Sequence, residues 1–134
     1  MTMARALLLG MLFLLLTCGV LTPAAWAGQV DWQEVPAGAA GRQWWDRGSL
    51  HRSRGGNLSV LSRFQPAVSP DSTRSRPPAS NLYVMEIDCA QALFRDVSVN
   101  GLPQLRAEWQ PSGADPLIDA VIEEACAAGQ DRLS

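Results

Sequence analysis

The chain has 134 residues, 47% of them hydrophobic, with eleven bases against thirteen acids. All eleven bases are arginine, and the formal net charge is −2. This length supports one small domain, and the acidic balance argues against a nucleic-acid binder, which shows a basic excess.

Arg5 opens the N-terminal segment, Ala6 to Val20 is almost unbroken apolar sequence, and Pro23 interrupts it ahead of Ala25-Trp26-Ala27. A lone positive residue, an apolar stretch and small residues at an A-x-A end have the form of an export signal. We read residues 1–27 as a cleaved signal peptide and residues 28–134 as a single domain. The rival is a membrane anchor, for which Leu7 to Leu21 is short of the roughly 20 apolar residues that span a bilayer. Cys18 follows Thr17, where lipid-attachment sequences usually carry Gly, Ala or Ser. A lipid on Cys18 would be the chain's other route to a membrane. The expected destination is the periplasm or the cell surface.

Beyond residue 27, Gln29 to Val35 alternates and predicts a first strand with Trp32 as a core anchor. Pro36 to Gly41 is a turn. Arg42 to Asp46 is a second strand that Arg47-Gly48 closes, and Ser49 to Arg52 either continues it or turns. Gly55-Gly56-Asn57 is a hairpin signal. Asn57 to Phe64 alternates cleanly, with Leu58, Val60, Ser62 and Phe64 on one face. The Pro- and Ser-rich run 65–80 lacks the apolar bulk to order itself and reads as a flexible polar insertion.

Asn81 to Cys89 is the next strand, with Tyr83, Met85, Ile87 and Cys89 on its inner face. Ala92 to Val99 follows, Asn100-Gly101 is a two-residue hairpin turn, and Leu105 to Trp109 is the expected return strand. Asp115 is a good N-cap with Pro116 at the first helical position. Leu117, Ile118, Val121, Ile122, Ala125 and Cys126 then form an apolar stripe at helical spacing, and Gly129 reads as the C-terminal cap.

With the signal removed, Cys89 and Cys126 remain, and an even count in an exported chain points to a disulfide. The chain-entropy model gives such a bridge about 4 kcal/mol. It would pin the helix to the end of a central strand. The expected fold is α+β: an antiparallel sheet of five or six strands with one C-terminal helix tied to a face.

These features in order resemble the surface-adhesin protein E family of small exported bacterial proteins. The resemblance rests on Trp32, Trp44-Trp45-Asp46 with its basic and glycine turn, the polar insertion, Tyr83 to Cys89, Arg95, Trp109 to Gly113, and the short helix ending on Cys126. It spans residues 30–128. It implies an antiparallel sheet, a helix held by the disulfide, and surface adhesion. The chain departs from the pattern in its Trp-Trp pair and in lacking a convincing lipid-attachment sequence.

Catalysis finds little footing. His51 is the only histidine, and Ser49 and Ser53 beside it are ordinary turn residues without a nucleophile motif. Asp115, Asp119, Glu123 and Glu124 read as solvated helix acids, and no calcium-loop pattern occurs. No metal or cofactor is expected. Arg95 is expected to pair locally with Asp88 or Asp96.

The candidate binding residues are Trp44, Trp45, Arg42, Arg47, Arg52 and Arg54. Adjacent strand residues face opposite ways, so one indole meets the helix and the other is exposed or lies under 65–80. A cationic turn beside an indole suits a polysaccharide or an acidic protein surface. The sequence thus reads as a non-enzymatic, exported envelope-binding domain. The alternative is a carrier of a small apolar ligand, which a cavity lined by Trp32, Trp45 or Phe64 would favour.

Overall fold

Leu58, Val60 and Ser62 alternate with polar or half-buried neighbours, and Met85 and Ile87 do the same on the next strand, so the two segments pair side by side with these residues on one face of the sheet. A computed structural model describes residues 28–71, 73 and 76–133. The expected signal peptide and Cys18 lie outside these residues. The strands are β1 (Trp32–Glu34), β2 (Gly41–Arg52), β3 (Leu58–Pro66), β4 (Asn81–Asp88), β5 (Leu93–Val99), β6 (Leu102–Pro103) and β7 (Gln110–Pro111). They form one antiparallel sheet in the order β1-β2-β3-β4-β5-β6, with β7 also beside β5. A single helix, α1 (Pro116–Leu133), follows them among the described residues.

Cross-strand partners define the faces. Leu58 opposes Ile87, Val60 opposes Met85 and Trp45 opposes Ser62. This face carries the core: Trp45, Leu50, Leu58, Val60, Met85, Ile87 and Phe94 bury against Leu117, Val121, Ile122 and Ala125 of α1. The helix lies mainly over β2 and β3. Asp115 starts it as expected, its Oδ1 accepting the Leu117 and Ile118 amides at 2.9 and 3.4 Å. The expected disulfide joins Cys89 to Cys126 with Cα atoms 5.8 Å apart, so α1 is covalently fixed at the end of β4.

Several local expectations are corrected. Arg47-Gly48 does not end the second strand; β2 runs on to Arg52 through a large bulge between Asp46 and His51. Polar side chains satisfy the backbone there. Asp46 Oδ1 accepts the Asp31 and Gly48 amides at 2.7 and 2.9 Å, and Ser49 Oγ accepts the Leu61 amide at 2.9 Å. The chain before β1 crosses Gly48 so closely that a Cβ there would lie 1.9 Å from the Gln29 carbonyl oxygen.

Leu105 to Trp109 is not the return strand. Asn100 and Gly101 both take positive φ, 50° and 81°, and the tight turn brings the chain back at once as β6. Pro103 has no N–H to continue a ladder. The chain then turns, with the Ala107 amide donating to the Gln104 carbonyl, and rejoins β5 only at β7. Leu105 is consequently 95% exposed. Gly129 is not a cap either: α1 continues to Leu133, and Gly129 is a buried close-approach point against Leu58.

Candidate functional site

The sheet face turned away from α1 carries a stack of indoles and guanidinium groups. Cross-strand register sets Trp32 opposite Asp46, Glu34 opposite Trp44, and Trp44 opposite Arg63. The Arg63 guanidinium lies 4.2 Å from the Trp44 ring centre and 5.3 Å from that of Trp32. Arg42 covers Trp44 at 4.8 Å and makes a two-pronged pair with Glu34 at 2.6 and 2.7 Å. That pairing holds the Glu34 carboxyl below its ordinary pKa and raises the Arg42 guanidinium. Cations over ring faces are attracted by the π-electron quadrupole. Trp44 is only 7% exposed although no helix among the described residues covers it; the flat guanidinium groups of Arg42 and Arg63 lie over its ring.

A second, smaller stack lies on the same face. Glu86 and Arg95 are cross-strand partners and pair at 2.6 Å, while the guanidinium sits 4.6 Å from the Trp109 ring centre. Arg95 therefore pairs with Glu86 and not with Asp88 or Asp96.

The six residues named from sequence do not form one surface. Trp44 and Trp45 face opposite ways as expected, but both are buried. Trp45 lies under α1 and donates its indole N–H to Glu124 Oε2 at 2.8 Å, so Glu124 is no simple solvated acid. Arg42 belongs to the outer stack. Arg47 is exposed at the bulge, and its carbonyl accepts a hydrogen bond from Arg132 at 2.6 Å. Arg52, opposite Leu58, donates to the Gly56 carbonyl at 3.3 Å, and Arg54 is exposed in the following turn. Arg42 and Arg52 oppose Gln65 and Leu58, seven residues apart on β3, which is roughly 23 Å of strand. His51 is exposed, its Nδ1 donating to the Ser49 carbonyl at 2.8 Å.

Trp32 is not a core anchor but a half-buried member of the outer stack. Arg63, the centre of that stack, was not among the residues picked out from sequence. Its role depends on strand order, which places three sequence-distant positions side by side. The one signal was its place on the outward side of the alternating strand 57–64.

The helix-covered face holds a different feature. Beside the start of α1, a half-open cleft of about 250 Å³ is lined by Gln43, Phe64, Tyr83, Met85, Phe94, Asp96, Asp115 and Ile118. Gln43 is buried and donates through Nε2 to Ser62 Oγ at 3.0 Å. Burial raises the Asp96 carboxyl above its ordinary pKa. Phe64 lines this cleft, whereas Trp32 and Trp45 do not. No cluster of three or more His, Cys, Asp or Glu side chains with metal-binding geometry occurs among the described residues.

The surface adhesin-E family model matches residues 33–132, from β1 almost to the end of α1. This chain belongs to the surface adhesin-E family. No curated protein and no solved structure matches it. The span matched to the surface adhesin-E family takes in most of the outer stack, the cleft and the disulfide. Trp32 lies just outside the matched residues. No helix among the described residues is long and apolar enough to cross a membrane.

Proposed function

We propose that the chain is an exported, non-catalytic binding domain of the cell envelope that works through the sheet face turned away from α1. Membership of the surface adhesin-E family carries this reading. The geometry supports the choice of face. Trp32, Arg42 and Arg63 are fixed around the buried Trp44 on three adjacent strands, where an indole and two guanidinium groups meet a ligand without ordering loose side chains. Arg47 and Arg52 on β2 and Arg54 in the turn after it add exposed positive charge. The ligand classes such a surface suits are an anionic polysaccharide and an acidic protein surface.

The test compares a deletion strain, a complemented strain and a strain carrying W32A/R42Q. Attachment is measured to surfaces coated with sulfated polysaccharide, neutral polysaccharide or acidic protein. Deletion should abolish attachment to one of the two anionic coatings, and W32A/R42Q should reduce it several-fold while the protein remains folded and protease-accessible on intact cells. Equal attachment by the deletion strain, or a protein shielded from protease in intact cells, contradicts the reading.

A second reading, carriage of a small ligand, is favoured by one observation: the cleft beside α1 has walls of Phe64, Met85, Phe94 and Ile118.

A further inference from the structure

We infer that the cleft beside the start of α1 is a binding site for a small organic cation, a molecule bearing an ammonium or substituted ammonium group. The inference rests on the cleft's being a ligand site, as in the second reading above, and is independent of the outer stack. Three aromatic residues from three neighbouring strands line the space: Phe64 of β3, Tyr83 of β4 and Phe94 of β5. Rings grouped around a cavity are the usual surroundings of an ammonium group, whose charge the ring faces attract.

Polar groups in the cleft carry the matching sign. Asp96 is half-buried, and its carboxylate makes no ion pair or hydrogen bond among the described residues. Arg106 shares only a separate outer hollow with it. Asp115 spends Oδ1 on the helix cap, leaving its other oxygen without a hydrogen bond among the described residues. Gln43 is 3% exposed, and the one side-chain hydrogen bond it makes among the described residues uses Nε2 and not its amide oxygen. The carboxylates of Asp96 and Asp115 and the Gln43 amide oxygen thus offer acceptors among the lining residues, with the Tyr83 hydroxyl beside them, and no arginine lines the space.

Other ligand classes fit less well. A purely apolar molecule would leave Asp96 and the Gln43 oxygen desolvated and unpaired. An anion would meet two carboxylates, and the helix-start amides that attract anions are already capped by Asp115. A hard divalent cation needs six or so oxygen ligands, and aromatic walls supply none. At about 250 Å³ the space lies below the roughly 300–1,000 Å³ of drug-sized sites, so the guest is a single small molecule.

Isothermal titration of the purified native protein with three probes tests this. They are choline, its neutral carbon isostere (a dimethylbutanol with a tert-butyl group in place of trimethylammonium) and acetate. Choline should bind about tenfold tighter than the isostere, and acetate should not bind. D96N should bring choline down to the level of the isostere and leave the isostere unchanged. F64L, which keeps an apolar wall but removes a ring, should weaken choline about threefold. Equal binding of choline and isostere by the unmodified protein overturns the cation inference and leaves small-ligand carriage standing. Failure of both to bind overturns the two together. The comparison of choline with isostere needs no variant, so it decides the matter even if a substituted protein does not fold.

Discussion

Gly129 of the helix lies against Leu58 of β3 so closely that a Cβ added to it would come within 2.7 Å of Leu58 Cδ1 and 3.0 Å of Cδ2. Helix propensity alone favours Ala over Gly by about 1 kcal/mol. Against it stands overpacking, typically about 1–3 kcal/mol, and Leu58 is only 3% exposed and has little room to retreat. The crowding wins. G129A should lower stability by about 1 kcal/mol in denaturant unfolding, and G129A/L58V should recover part of that. A G129A protein more stable than the parent contradicts the close packing of helix on sheet.

Trp45 and Glu124 join sheet and helix through the indole N–H at 2.8 Å, across 79 residues of chain. Removing the donor leaves a part-buried carboxylate oxygen unpaired, a loss of about 1.5–3 kcal/mol for a bond to a charged group. W45F should fall in that range, allowing for its smaller ring. E124Q keeps an acceptor and should lose less than E124A. Equal losses for E124Q and E124A in urea titrations would show that the bond contributes nothing.

Arg63 holds the outer stack together from between Trp32 and Trp44, and its Nε is buried without a hydrogen-bond partner. A flat guanidinium tolerates this because stacking, and not hydrogen bonding, is its main contact. R63K places a compact ammonium where a plane was, and should destabilise by about 1 kcal/mol. Trp44 should become more accessible to a fluorescence quencher. Unchanged quenching in R63K would mean that Trp44 is covered by something else.

Burial raises the native pKa of Asp96, so the folded state holds this proton more readily than the unfolded chain. Between the ordinary carboxylate range and the raised native value, stability from this group falls as pH rises. At low pH, where the proton is bound in both states, the difference vanishes. D96N should therefore be more stable than the parent at neutral pH and match it at acid pH. Glu34 has the opposite sign: its native pKa is lowered, mainly by the Arg42 hydrogen bond, and its contribution is lost as pH falls through that lowered value. Thermal melts of D96N and E34Q should both diverge from the parent at neutral pH, D96N upward and E34Q downward, and both should approach it as the carboxyls are protonated at acid pH. A D96N protein less stable than the parent at neutral pH contradicts the assignment.

Where burial of one face imposed a period of two, the strands could be read directly: Leu58, Val60 and Ser62, or Tyr83, Met85 and Ile87, alternate because they bury on one side only. The helix start was legible in Asp115-Pro116 and its apolar stripe. The bulge at 46–51 was not, because it depends on Asp46 and Ser49 bonding to backbone amides far away in sequence. Gly129 looked like a cap because a glycine near a helix end usually is one; only the position of Leu58 gives its other use. The site residues were harder. Trp44 and Trp45 could be assigned to opposite faces, but which face the helix covered depended on strand order. For that reason Trp32 and Arg63 took places that no local pattern announced. The cleft draws on four strands and the helix start, and no short stretch of sequence contains it.

Both surfaces depend on α1 staying closed over one face of the sheet, leaving the other free, and the Cys89–Cys126 bridge is the covalent tie that fixes it. The most direct measurement is mass spectrometry of the native protein after alkylation under denaturing conditions, with and without prior reduction. The unreduced protein should take up no label on Cys89 or Cys126, and the reduced protein should take up label on both. Label on both cysteines without reduction would mean that the helix is not fastened to the sheet, and the account of both surfaces would fall with it.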